Sequence, residues 1–153
     1  MDDYNTIITI PSDLFSKCTK LVSVEGLFKG SIIDTIPSDL FKGLTNLENV
    51  KDAFDFTKIT SIPSDLFKDN IALSNASFCF AGCGELTSIP RGLFKNNPKL
   101  SDISYCFSGC DKLTSIPVDL FSESSSVTSV ESAFGYTGIT FILSGLFDNC
   151  IEL

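Results

Sequence analysis

The side chains able to do chemistry in this chain are thiols, carboxylates and hydroxyls, because it contains six Cys and no His. Cys79-x-x-x-Cys83 and Cys106-x-x-x-Cys110 together offer four sulfurs, a set that could hold zinc or form bridges. Without His the chain lacks the commonest general base and the commonest metal ligand. A Ser-His-Asp or Cys-His site therefore cannot be assembled within it. Asp13, Asp39, Asp65 and Asp119 recur at one sequence phase, which suits a column of caps better than a pair of facing acids. A glycosidase needs such a pair across a cleft. The chemistry points away from an enzyme, with no catalytic, cofactor or metal site.

The phase of those residues comes from a repeat. IPSDLF stands at 10–15, 36–41 and 62–67, IPRGLF at 89–94, IPVDLF at 116–121 and the degenerate ILSGLF at 142–147. The period is 26 or 27 residues, which signals stacked coils. Two Phe ladders run through it, Phe15/41/67/94/121/147 and Phe28/54/80/107/134, and only Phe56, Phe78 and Phe141 fall outside them. Each ladder Phe is followed by a turn and then by an apolar pair three apart, such as Leu47/Val50 or Ile59/Ile62. The pair Ile7/Ile10 precedes the first unit. Each coil thus reads as two half-coils, each with a short extended piece and a short helical or 3₁₀ turn. The Pro after each Ile stops the extended piece, and the Ser-Asp that follows in the first three units caps one helical turn. Coils this thin bury their Phe and Leu only by stacking.

The phase also explains the cysteines. Cys18, Cys83, Cys110 and Cys150 lie three residues after a ladder Phe, and Cys79 and Cys106 lie just before one. Other copies carry Ser, Leu, Asn, Thr or Ala at these places, which marks them as packing positions for buried thiols. Disulfides Cys83–Cys110 or Cys79–Cys106 are the alternative, since stacked coils bring Cα atoms within bridging range.

FCFAGCGELTSIPRGLF at 78–94 and YCFSGCDKLTSIPVDLF at 105–121 resemble BspA-like leucine-rich repeats, with their Phe-x-x-Cys-x-x-Leu surface motif. The resemblance implies a right-handed solenoid with a parallel sheet along one side, often part of large surface proteins that serve adhesion. In this chain the Pro follows the first Ile directly, which favours two very short strand ladders per coil. The expectation is a single leucine-rich-repeat-like solenoid over 1–153, of about six coils, with short parallel strands and short helical or 3₁₀ turns. It is read as part of a longer protein.

Composition limits the partners. Nineteen acidic residues against 11 basic give a net charge of −8, spread evenly, so no basic patch meets phosphates and nucleic acid is not a partner. No apolar run approaches the roughly 18 residues of a membrane span, so membrane insertion is not expected. Met1-Asp2-Asp3 does not open a signal peptide, yet the resemblance implies a cell-surface or extracellular place for the full-length protein.

Two polar strips remain. Asp34-Thr35, Thr60-Ser61, Thr87-Ser88 and Thr114-Ser115 form a regular one. The second starts at Val22-Ser23 and continues through Glu48-Asn49, Ser74-Asn75, Ser101-Asp102 and Thr128-Ser129. Because it varies more, it is the preferred binding face. The expected function is a non-enzymatic binding or adhesion module for a protein or surface glycan. The alternative is a spacer or scaffold array in a surface or phage assembly. A varied aromatic or charged cluster crossing several coils would favour the module. None is evident from sequence, although Tyr105 and Tyr136 sit near the ends of their half-coils. Neither end reads as a polar cap, so flanking repeats or a second copy are expected there.

Overall fold

The computed structural model describes residues 8–153, so Met1–Ile7, including the Ile7 of the first apolar pair, lie outside the described residues. The chain winds into stacked coils around one apolar core that runs from Ile10 to Cys150. Phe15, Phe41, Phe67, Phe94, Phe121 and Phe147 stack face to face at centroid spacings of 6.1, 6.0, 5.8, 6.4 and 5.4 Å. The second ladder, Phe28 to Phe134, stacks at 5.6, 5.5, 5.5 and 5.7 Å. Tilted rings tie the ladders together, Phe41 to Phe54 at 6.2 Å and Phe67 to Phe80 at 6.3 Å. Each fully buried Phe contributes about 1.5–3 kcal/mol of apolar burial. A coil cannot bury these rings alone, so the stack is also the folding unit.

The expected short strands and helical or 3₁₀ turns are not found. Among the described residues there is no helix and no strand. What remains of a sheet is one parallel pairing per coil, Ser23–Asn49–Asn75–Asp102–Ser129. The reason lies in where successive N–H groups go. In the second half-coil, Leu27, Lys29 and Ser31 donate back within the coil to the carbonyls of Val24, Gly26 and Phe28. The residues between them, Val24, Gly26, Phe28 and Gly30, donate to the next coil at Asn49, Lys51, Ala53 and Asp55. The pattern repeats from Val50 to Thr57, from Ala76 to Cys83 and from Ile103 to Cys110. A helix needs consecutive N–H groups bonded within the chain, and a strand must stay extended. Alternate donation satisfies every N–H while forming neither.

The first half-coil is built from spaced turns as well. In the first unit Leu14, Ser16 and Cys18 donate to Pro11, Asp13 and Phe15, and the intervening N–H groups make no such bond. The Ser-Asp pairs therefore begin β-turns, where a helical turn was expected. Extended pieces are cut short by Pro on one side. On the other, Oδ1 of Asn49, Asn75 and Asp102 accepts the N–H two residues on, at 2.9, 2.9 and 2.8 Å, and bends the chain at once.

Candidate functional site

Alternating donation needs left-handed backbone at two places in the second half-coil. One column is Gly26, Asp52, Phe78, Tyr105 and Ser132, and the other is Gly30, Phe56, Gly82, Gly109 and Tyr136; all ten have positive φ. Glycine adopts this conformation freely, whereas bulky residues rarely do. Four aromatics hold it here: Phe56 at +53°, Phe78 at +56°, Tyr105 at +57° and Tyr136 at +55°. Left-handed φ turns these side chains out of the stack and onto one surface.

There they border a groove of about 790 Å³. Gly82 and Gly109 line it as consecutive members of their column. Phe56 bounds that column on one side and Tyr136 on the other, with 66% and 88% of their surfaces exposed. Phe78 and Tyr105 also line the groove, stacked at 4.6 Å and 5°. Tyr105 donates its hydroxyl to Glu131 Oε1 at 2.7 Å, and that carboxylate holds the phenol's proton more firmly than usual.

Charge is concentrated where Lys29 bridges two acids. Its Nζ is 3.1 Å from Asp52 Oδ1 and 2.8 Å from Asp55 Oδ2. These bonds raise the ammonium pKa, Asp55 contributing most. Asp55 is only 3% exposed, and burial raises its carboxyl above the ordinary 3.8 while Lys29 pulls it back. Lys51 is held by Glu25 at 3.7 Å. Asp111 also lines the groove, is exposed, and is in no ion pair among the described residues.

The polar strip chosen from sequence lies beside this groove, joined to it through Lys51, whose N–H binds Asn49. Glu48 and Thr128 are exposed, while Asn49, Ser74, Asn75, Ser101, Asp102 and Ser129 are half-buried. Much of the strip's hydrogen bonding is internal. Ser74, Ser101 and Thr128 donate their hydroxyls to the carbonyls of Glu48, Ser74 and Ser101 one coil earlier. Asn75 Oδ1 also accepts the Ser77 hydroxyl, and Ser129 Oγ lies 2.6 Å from Ser104 Oγ.

The cysteine positions carry more than packing. Thr57 Oγ1 and Cys83 Sγ both donate to the Phe54 carbonyl, at 2.8 and 3.1 Å, and Cys110 Sγ donates to Phe80 at 3.2 Å. In the other half-coil Asn70 gives both amide hydrogens to Phe41 and Leu44, and Asn97 gives both to Phe67 and Asn70. These columns favour small donors because each turn leaves a carbonyl facing inward. All six cysteines are free thiols, five of them buried, with Cys18 exposed. Burial pushes Cys110 up to about 12, and Cys79 and Cys106 well above the ordinary value. Among the described residues no group of three or more Cys, Asp or Glu could hold a metal. No helix there is long and apolar enough to cross a membrane.

The aromatic groove is the feature sequence reasoning missed. Its signal was present in Phe56 and Phe78, two of the three Phe outside the ladders, and in Tyr105 and Tyr136.

A family model for the BspA type leucine rich repeat region matches residues 3–153 in six copies. The chain belongs to this family. No curated protein matched. Among solved structures, the LRIM1/APL1C complex matches at 20% identity and TM-score 0.70, over 92% of this chain and 24% of that one. The APL1 leucine-rich repeat domain matches at 20% identity and TM-score 0.70, over 96% and 38%. The Drosophila Toll–Spatzle complex matches at 20% identity and TM-score 0.51, over 95% and 21%. At this identity the likeness is one of fold. The BspA-type chain spans less than two fifths of each of those structures.

Proposed function

We propose that this BspA-type chain is a non-enzymatic binding or adhesion module for a protein partner outside the cell. Its binding face is the aromatic groove, with the strip Glu48, Asn49, Ser74, Asn75, Ser101, Asp102, Thr128 and Ser129 as one rim. The observation that carries this reading is the placement of four aromatics at left-handed positions where equivalent coils use Gly. A bulky residue there costs roughly 1–2 kcal/mol of backbone energy, and such strain gathers at ligand clamps. Exposed aromatics that stack no core stabilise a complex more than they stabilise the fold. Two of the solved relatives are themselves protein complexes, LRIM1/APL1C and Toll–Spatzle, which supports a protein partner. The adjoining polar strip, rich in Ser and Asn, suits the rim of such a face.

The test is binding of the intact chain to a panel of purified extracellular proteins and to an oligosaccharide array. The comparison is a Phe56→Gly/Tyr136→Gly variant. Wild type is expected to bind at least one protein and the variant to lose it with a melting temperature that is unchanged or higher. No binding at all would leave the spacer reading instead, and binding indifferent to both the groove variant and Glu48→Ala/Thr128→Ala would overturn this assignment of the face.

A further inference from the structure

The shape of the groove indicates what it holds. Phe56, Gly82, Gly109 and Tyr136 occupy one position in four successive coils. Three coil steps at the parallel-chain spacing of about 4.8 Å place the outer two roughly 15 Å apart. An extended or polyproline-type segment covers that distance in about five residues. Of the two glycines between them, Gly82 is covered by the Phe56 ring, and Gly109 leaves room for a backbone to approach between that ring and Tyr136.

Chemistry separates a peptide from a sugar chain. A buried sugar must find partners for many hydroxyls. The polar groups bordering the groove are largely committed already: Lys29 to Asp52 and Asp55, Lys51 to Glu25, and Tyr105 to Glu131. Aromatic rings with few free polar groups suit apolar side chains and proline instead.

Charge then selects among peptides. Both lysines bordering the groove are held by carboxylates, whereas Asp111 is in no ion pair among the described residues. Asp111 lies one coil before Tyr136, so a free carboxylate and an exposed ring border the same part of the groove. A cation there gains both ion pairing and a ring face. The chain's net charge of −8 attracts such a ligand from a distance.

We infer that the groove binds an extended peptide segment carrying an arginine or lysine beside Asp111 and Tyr136, with apolar or proline residues over Gly109 and against the Phe56 ring that covers Gly82. The segment runs along the stack, and its neighbours pack against Phe56 and the Phe78–Tyr105 pair. This inference rests on the binding-module reading and narrows it.

The test titrates the intact chain, followed by NMR, with end-blocked Ala-Pro-Pro-Arg-Pro-Ala and with counterparts carrying Gln or Glu in place of Arg. The Arg peptide should bind about tenfold more tightly than the Gln peptide and shift Gly82, Gly109 and Tyr136 resonances. Asp111→Asn, an exposed substitution, should remove that difference while leaving the melting temperature unchanged. Tyr136→Gly should weaken both peptides. Equal binding of Arg and Gln peptides overturns the inference. So do shifts outside the groove, no binding in the millimolar range, and an oligosaccharide that shifts the groove where peptides do not. A neutral or acidic protein bound through the groove would overturn it too, yet leave the binding-module reading standing.

Discussion

The ring of Phe56 lies against Gly82 of the next coil. A Cβ placed on Gly82 would stand 2.6 Å from its Cδ1 and 2.7 Å from its Cε1. Gly82 also has φ of +65°, so a side chain there meets backbone strain as well as a clash. Gly82→Ala is expected to push the Phe56 ring out of place and to cost about 1–3 kcal/mol. Denaturant unfolding measures the loss, and an undisturbed Phe56 ring resonance would contradict the packing described.

Tyr136 leads to the opposite expectation for stability. Its side chain is exposed and its φ is +55°, so Gly relieves strain while removing little packing. Tyr136→Gly should be within about 0.5 kcal/mol of wild type or more stable. Thermal unfolding checks this. A loss above 1.5 kcal/mol would show that the ring supports the fold.

Asn97 ties three turns together through its amide. Asn97→Ala removes the second hydrogen bond at the carbonyls of Phe67 and Asn70, which keep only the N–H groups of Asn70 and Leu73, and it empties a buried site. The expected cost is about 1–3 kcal/mol. Asn96→Ala, at the exposed neighbouring position, should change stability by less than about 0.5 kcal/mol. Equal effects at the two sites would deny the amide its role.

Lys29 and Asp55 give a pH dependence with a definite sign. Burial raises the Asp55 carboxyl above 3.8, so the folded chain holds that proton more tightly than the unfolded one. Its contribution is fully present below 3.8 and is lost as pH rises through the folded value. Lys29→Gln removes the cation that limits this rise. The variant should therefore lose more stability at pH 7 than at pH 3. Unfolding curves at the two pH values decide it, and a larger loss at pH 3 would reverse the assignment.

The thiols provide a second pH test. Cys18 should react quickly with a thiol reagent at neutral pH, and the five buried cysteines only on unfolding. For Cys110 the pKa rises from 9.0 to about 12 on folding, so stability is intact below 9 and falls as pH climbs from there toward 12. Rapid modification of all six thiols in the native chain would contradict this burial.

The sequence alone determined the period, the two Phe ladders and the absence of a His-based site. Each is a pattern repeated every 26 or 27 residues, and stacking is the one way such thin coils bury Phe41, Phe67 or Phe80. The same pattern placed Cys83 and Cys110 in the interior. Only the tertiary structure decided how the backbone is bonded. Whether Val50 donates within its coil or to Asn75 depends on the neighbouring coil being present, so strands and helical turns could not be excluded from local pattern. The groove was hidden for the same reason. Phe56, Phe78, Tyr105 and Tyr136 stand in two separate columns with no repeat of their own, and aromatic residues carry no preference for left-handed φ. Inter-coil bonds from the N–H groups of Phe56, Phe78 and Tyr105 hold three of them in that conformation, and only then do their rings share a surface with Tyr136.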